Sequence, residues 1–200
     1  MGPEQRVSDH FNASAATAVA TSEIISNQIA KAASLAVQIL ETGGKILICG
    51  NGGSASDAQH FASELICRYE KERRPLAAMA LTADSSVITA TGNDYDFTQI
   101  FSRQIRALAH TGDLLIAITT SGNSANVIQA VESAIEMEIQ VIALTGKDGG
   151  RLALAIENTG LELRVPSSIT ARIQEAHAII IHCICDLIEL QVTSTMSQAS

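Results

Sequence analysis

Five short apolar runs punctuate this chain after its first fifth, KILICG, LAAMAL, DLLIAIT, QVIALTG and LELRV, and most give way to stretches in which apolar residues recur every three or four positions. Runs of four to seven apolar residues without polar alternation predict strands buried on both faces, and the intervening periodicity predicts helices. The pattern is that of βα units, hence a parallel sheet covered on both sides. Strands are expected near 45–49, 76–81, 114–118, 140–144 and 161–165. Helices are expected from Ser54, from Asp84, over FTQIFSRQIRALAH, from Ser124 and from about Thr170, with only a short turn led by Gly149–Gly150 after the fourth strand. Residues 1–42 carry Ala, Ile, Val and Leu at helical spacing, and Ser26 as an internal N-cap with Gly43–Gly44 as a stop predicts two helices there.

Length and composition narrow the class. At 200 residues and 21.0 kDa the chain suits one domain, with residues 1–42 as N-terminal helices and 43–192 as the layered core. Its 46% hydrophobic content with 3% aromatic residues and no Trp implies a core of Ala, Ile, Leu and Val. A formal charge of -8 argues against nucleic acid, whose binding rests on Lys and Arg neutralising phosphates. An anionic ligand must therefore be held locally. The start, MGPEQRVSDHF, lacks the basic and apolar regions of a secretion signal, and HAIIIHCICDLIEL is too short and interrupted for a bilayer span, so a soluble cytoplasmic protein without a membrane partner is expected. Cys49, Cys67, Cys183 and Cys185 form no CxxC pair and are expected to be reduced core residues.

Two of the predicted strands end in loops built of small polar residues. In KILICGNGGSASDAQ and DLLIAITTSGNSANVIQ the loop lies at the carboxyl end of a parallel strand and opens a helix, where free backbone N–H groups can receive an anion. TTSGNS adds the hydroxyls of Thr119, Thr120, Ser121 and Ser124, with Gly122 permitting close approach and Ser124 available as a cap. Hydroxyls and amides together can hold a phosphate without a lysine. Taken alone, TTSGNS also reads as a polar loop with an ordinary serine cap, and GNGGS as a tight turn. Gly50, Gly52 and Ala55 match GxGxxG/A, with Glu70 and Glu72 some twenty residues on, but EKERRP offers no second strand to carry the acid. No Gly-Lys-Ser/Thr follows either loop, which excludes a P-loop.

His60 and Glu64, four apart, share the face of the helix that leaves the glycine loop, so the carboxylate can serve as a general base or form a simple surface pair. The last helix brings Gln174, His177 and His182 among isoleucines; Gln174 and His182 lie about two turns apart and can line one groove, and His177 is within reach of the same face. A histidine in such a stripe also reads as a packed core residue. His60, Glu64, Gln174 and His182 together offer four ligands for a divalent metal, although none of the short zinc spacings is present.

Taken in order, CGNGGSASDAQHFASEL, RY at Arg68–Tyr69, TGNDYDFTQIFSRQ, TTSGNSANVIQA, VIALTGKDGG, LRVPS and ARIQEAHAIIIH resemble the sugar isomerase (SIS) domain family over nearly the whole chain, and within it the phosphoheptose isomerases. The resemblance implies a three-layer αβα sandwich with a five-stranded parallel sheet, preceded by N-terminal helices and assembled as a homotetramer with sites at subunit interfaces. The N-terminal helices and the Ile179–Ile188 stripe are candidates for those contacts. It implies an aldose–ketose isomerase converting D-sedoheptulose 7-phosphate to D-glycero-D-manno-heptose 7-phosphate, the first step towards lipopolysaccharide heptose, with one zinc ion per subunit. By position, Glu64 and His182 resemble the acid–base pair, and His60, Glu64, Gln174 and His182 the zinc ligands. Asn51, Gly52, Gly53, Glu64, Asn93, Asp94, Thr119, Thr120, Ser121, Ser124 and Gln174 resemble the substrate contacts. Thr119 stands where the family usually has serine, so the hydroxyl is kept and a methyl added. Relatives on the same scaffold include isomerases of other sugar phosphates and a non-catalytic tetramer that binds the replication initiator; the presence of both Glu64 and His182 favours an enzyme.

Overall fold

The computed structural model describes residues 2–198. Helix α1 (Pro3–Glu41) opens on a proline, whose missing N–H has no helical partner in the first turn, and closes where the N–H and hydroxyl of Thr42 return to the Gln38 carbonyl at 3.1 and 2.9 Å. The boundary expected at Ser26 does not exist, and the two N-terminal helices are one. Ser26 Oγ bonds the carbonyl of Ser22 one turn behind it, so the residue sits inside a helix instead of capping one. In its second half α1 sends Ile25, Ile29, Ala32, Ala33, Ala36, Val37 and Leu40 inward at helical spacing, whereas most of the first half is exposed.

Beyond α1 the order is β1 (Ile46–Gly50), α2 (Gly53–Ile66), β2 (Ala78–Ala80), α3 (Ser85–Asp94), a 3-10 turn (Phe97–Gln99), α4 (Ser102–Leu108), β3 (Leu114–Ile118), α5 (Ala125–Glu136), β4 (Gln140–Thr145), α6 (Gly150–Ile156), β5 (Gly160–Arg164) and α7 (Thr170–Gln198). All five expected strands form, the second shortened to three residues at the sheet edge. Asp84 caps α3 by accepting from the N–H groups of Ser86 and Val87 at 2.9 and 3.0 Å. FTQIFSRQIRALAH is broken, because Asp96 caps the 3-10 turn and α4 starts afresh at Ser102. The turn expected at Gly149–Gly150 instead opens α6, with Gly149 at φ 80° turning the chain into it.

Every strand is parallel to its neighbours in the order β2-β1-β3-β4-β5. Alternate residues serve opposite layers. Ile46, Ile48, Leu114, Ile116 and Ile118 pack with α1, α2 and α7, while Leu47, Cys49, Leu115 and Ala117 pack with α4, α5 and α6. The result is the three-layer αβα sandwich that the resemblance implied, and burial on both faces is why its strands carry no polar alternation.

Helix α7 runs well past the apolar run read from the sequence and is long and apolar enough to cross a bilayer, yet half of its most apolar stretch is buried inside the fold. Its apolarity is that of a core helix. Of the four cysteines, all free, only Cys49 and Cys185 are buried; Cys67 and Cys183 are exposed, so the expectation of four core thiols is half right.

The chain leaves β1 for β2 on one side and returns to place β3 on the other, so the loops after β1 and β3 diverge at the carboxyl ends of two adjacent strands. Ligands of open α/β sheets bind in the crevice at such a switch point.

Candidate active site

Both small-residue loops border that crevice. Gly52 adopts φ 56°, ψ -121°, a conformation closed to side chains, and lets α2 begin at Gly53. The glycine loop and the start of α7 are in contact at Gly53, where a Cβ would meet the amide of Gln174, whose Cδ would lie at 2.9 Å, and would push that side chain aside. The loop after β3 is internally bonded. Thr119 Oγ1 and Ser124 Oγ lie 3.1 Å apart, and Ser121 Oγ accepts from the N–H of Asn123 at 3.2 Å. Ser124 occupies the N-cap position of α5 but makes no side-chain cap bond, its hydroxyl being turned to Thr119. Of the first amides of α5, that of Val127 is taken by Asn126 Oδ1 at 3.0 Å, and those of Ala125 and Asn126 are left to an incoming anion.

Asn51 and Asn126 join the two loops by a reciprocal amide pair, each Nδ2 donating to the other's Oδ1 at 2.8 Å. Asn126 is 3% exposed, and nothing in the sequence singled it out, since an asparagine early in a helix is unremarkable until its partner is known. The second loop is braced from behind by the segment after β4. Leu152 N–H donates to Gly122 O at 2.9 Å and Arg151 N–H to Asn123 Oδ1 at 3.1 Å. A Cβ on Gly122, at φ 66°, would overlap the carbonyl of Gly149. Gly122→Ala is therefore expected to spread the braced loops, raising KM for a phosphorylated substrate at least about tenfold and costing about 2 kcal/mol, some 4–8 °C of thermal midpoint. An unchanged KM in steady-state assays would remove this loop from the binding site.

About two helical turns beyond the glycine loop, His60 Nε2 lies 3.1 Å from Glu64 Oε1 and 3.4 Å from His182 Nε2 of α7. The imidazoles meet edge to face, with centroids 5.0 Å apart, and the Tyr69 ring lies 5.7 Å from that of His182. Glu64 and His182 thus approach one another through His60, all three part-exposed to the crevice. His177 takes no part. It is fully buried, its Nε2 donating to the Thr145 carbonyl at 2.9 Å, and burial pulls its pKa down to about 4. Asn93 and Asp94, at the exposed end of α3, bond each other at 2.7 Å and show no hydrogen bond to the histidines among the described residues.

In kind, the donors suit zinc: two imidazoles, a carboxylate and a nearby amide. Adjacent ligands of a tetrahedral zinc lie about 3.3 Å apart for bonds near 2.0 Å, close to the spacings of His60 to Glu64 and His60 to His182. Among the described residues, no group of three or more His, Cys, Asp or Glu side chains is placed to hold a metal ion as it stands.

A family model described as the SIS domain matches residues 9–146. The chain belongs to the SIS domain family. Among relatives of this SIS domain, a phosphoheptose isomerase of Shewanella loihica is 55% identical over 185 residues, covering 92% of this chain and 94% of the relative. In Francisella tularensis, a phosphoheptose isomerase structure superposes with a TM-score of 0.92 at 47% identity, covering 95% of this chain and 100% of that one. Another from Neisseria gonorrhoeae gives 0.90 at 49%, covering 94% and 99%. The resemblance read from the spaced motifs is borne out across nearly the full length.

Proposed function

We propose that the protein is an aldose–ketose isomerase converting D-sedoheptulose 7-phosphate to D-glycero-D-manno-heptose 7-phosphate, the step that opens the supply of heptose for lipopolysaccharide. One observation carries the reading: lysine-free polar loops lie at the β1/β3 switch point, and the helix that leaves one of them bears Glu64 and His60, with His60 within hydrogen-bonding distance of both Glu64 and His182. Identity near one half to phosphoheptose isomerases supports the choice of substrate.

Isomerisation moves a proton between adjacent carbons through an enediol, so it needs a base at one carbon and an acid at the neighbouring oxygen. Glu64 takes the C1 proton of the ketose, and His182 manages the proton at the neighbouring oxygen or carbon. The hydroxyls and free amides of Thr119 to Ser124 and the glycine loop hold the phosphate, whose binding energy fixes the reacting carbons at a distance from it. Asn93, Asp94 and Gln174 serve the sugar hydroxyls. His60, Glu64, Gln174 and His182 would hold a zinc ion; when bound, such an ion polarises the carbonyl and stabilises enediolate charge.

The working unit is a cytoplasmic homotetramer with sites completed between subunits. Support comes from exposed Val7, Phe11, Val19 and Ile24 on α1 and Ile179 on α7, apolar side chains that this chain alone leaves in water.

The deciding experiment is turnover of sedoheptulose 7-phosphate by the wild-type chain, with metal content and assembly state determined on the same preparation. Aldose product formed at an enzymatic rate supports the reading. A tetrameric, metal-loaded protein with no turnover would redirect it to another sugar phosphate or to a binding platform.

A further inference from the structure

One buried ion pair joins the two helices that carry the proposed reacting groups. Arg73 follows α2 and is 8% exposed; Glu189 lies on α7 and is 2% exposed. The guanidinium donates through Nη2 to the carbonyl of Glu64 at 2.6 Å, and through Nη1 to the carbonyls of Leu65 and Arg74 at 2.8 and 3.0 Å. The Glu64 and Leu65 carbonyls belong to the last turn of α2, where helical N–H partners run out and the helix dipole favours a cation. The Glu189 carboxylate stands 3.6 Å from Arg73 Nε and accepts the amides of Tyr69, Glu70 and Lys71 at 3.2, 2.9 and 2.6 Å. Burial alone would push this carboxyl up; the three amides and the Arg73 charge outweigh it and hold it below the usual carboxylate range.

These contacts reach the proposed acid and base from both sides. Arg73 grips the main chain of Glu64 itself. Glu189 follows His182 by two turns on the same face of α7, and the amide it takes from Tyr69 fixes the residue whose ring lies against His182. A buried ion pair is a weak source of stability, because desolvation of both charges offsets their attraction. Its directed bonds to main-chain atoms are a strong source of geometry. We propose that Arg73 and Glu189 are positioning residues that set Glu64 on α2 against His182 on α7 and hold Tyr69 against the imidazole. The inference rests on the reading of Glu64 and His182 as the acid–base pair.

Two variants of the full chain test it. Arg73→Lys keeps the charge and loses the planar fork, and Glu189→Gln keeps the shape and loses the charge. Each is checked for fold by circular dichroism and thermal midpoint, then assayed in the wild-type and Glu64→Gln backgrounds, with the His182 ring followed by NMR after selective histidine labelling. The expected result is a folded protein whose kcat falls about 10- to 100-fold, as a misplacement near 1 Å produces, with KM changed less than about threefold. The His182 ring signals should shift as Tyr69 moves. In the Glu64→Gln background Arg73→Lys should change kcat by less than about twofold, because groups that act as a unit are not additive.

An equal loss in both backgrounds, or an unchanged kcat with unmoved His182 signals, overturns the proposal. If the wild type shows no turnover yet the His182 signals shift in the variants, the positioning stands and the functional reading fails. Arg73→Lys decides the matter if Glu189→Gln does not fold.

Discussion

Glu64→Gln is expected to lower kcat by ~10²–10⁴-fold, the range for removal of a general acid–base group, while the fold and the binding of inorganic phosphate stay as they are. The separation follows from where the side chain sits. Glu64 projects from α2 into the crevice and touches His60 at 3.1 Å; it bonds none of the hydroxyls or amides of the Thr119–Ser124 loop. Its main-chain carbonyl, the atom gripped by Arg73, is untouched by the substitution. Glutamine keeps the length and can still donate to or accept from His60, but its amide cannot take a proton from carbon. Steady-state rates with sedoheptulose 7-phosphate, beside phosphate inhibition constants, separate the two effects. A variant retaining more than a tenth of wild-type kcat would assign the base elsewhere.

The layered fold was legible because burial on both faces of a parallel sheet writes itself as short apolar runs, and KILICG and DLLIAIT could be little else. Local signals misled where the same residue type serves two ends. Ser26 has the chemistry of a cap, but the apolar face of α1 continues through Ile25 and Ile29 and keeps the helix intact. Gly149–Gly150 reads as a turn, and only the packing of Leu152 and Ile156 into the core makes the following residues a helix.

Within the site, the spacing of His60 and Glu64 is a local property and was readable. Their approach to His182, 122 positions away, depends on α7 returning across α2, which periodicity cannot express. The same holds for Asn126 and Arg73, whose partners at Asn51 and Glu189 lie 75 and 116 positions off. Long-range polar pairs leave no pattern in a single chain.

Two histidines five residues apart on α7 offer a sharper test of the site. His182→Gln is expected to lower kcat by ~10²–10⁴-fold, and His177→Gln to leave kcat within about threefold while destabilising the fold by about 1–3 kcal/mol through a strained or missing buried hydrogen bond. The contrast is one of environment. His182 is part-exposed, with the rings of His60 and Tyr69 beside it, whereas His177 is fully buried and bonded to the Thr145 carbonyl. With a pKa pulled down to about 4 by burial, His177 stays neutral across the working range and cannot carry a proton near pH 7.

The same shift fixes a second readout. Between about pH 6.5, where an unfolded histidine titrates, and about pH 4 the unfolded chain binds a proton at residue 177 that the folded chain refuses. The stability contributed by neutral His177 is therefore complete above pH 6.5 and declines as pH falls towards 4. Denaturant unfolding at pH 7.5 and pH 5 should show this loss in the wild type and a smaller loss in His177→Gln. A kinetic defect confined to His177→Gln, with His182→Gln silent, would move the acid–base assignment one turn and more along α7 and take the proposed site with it.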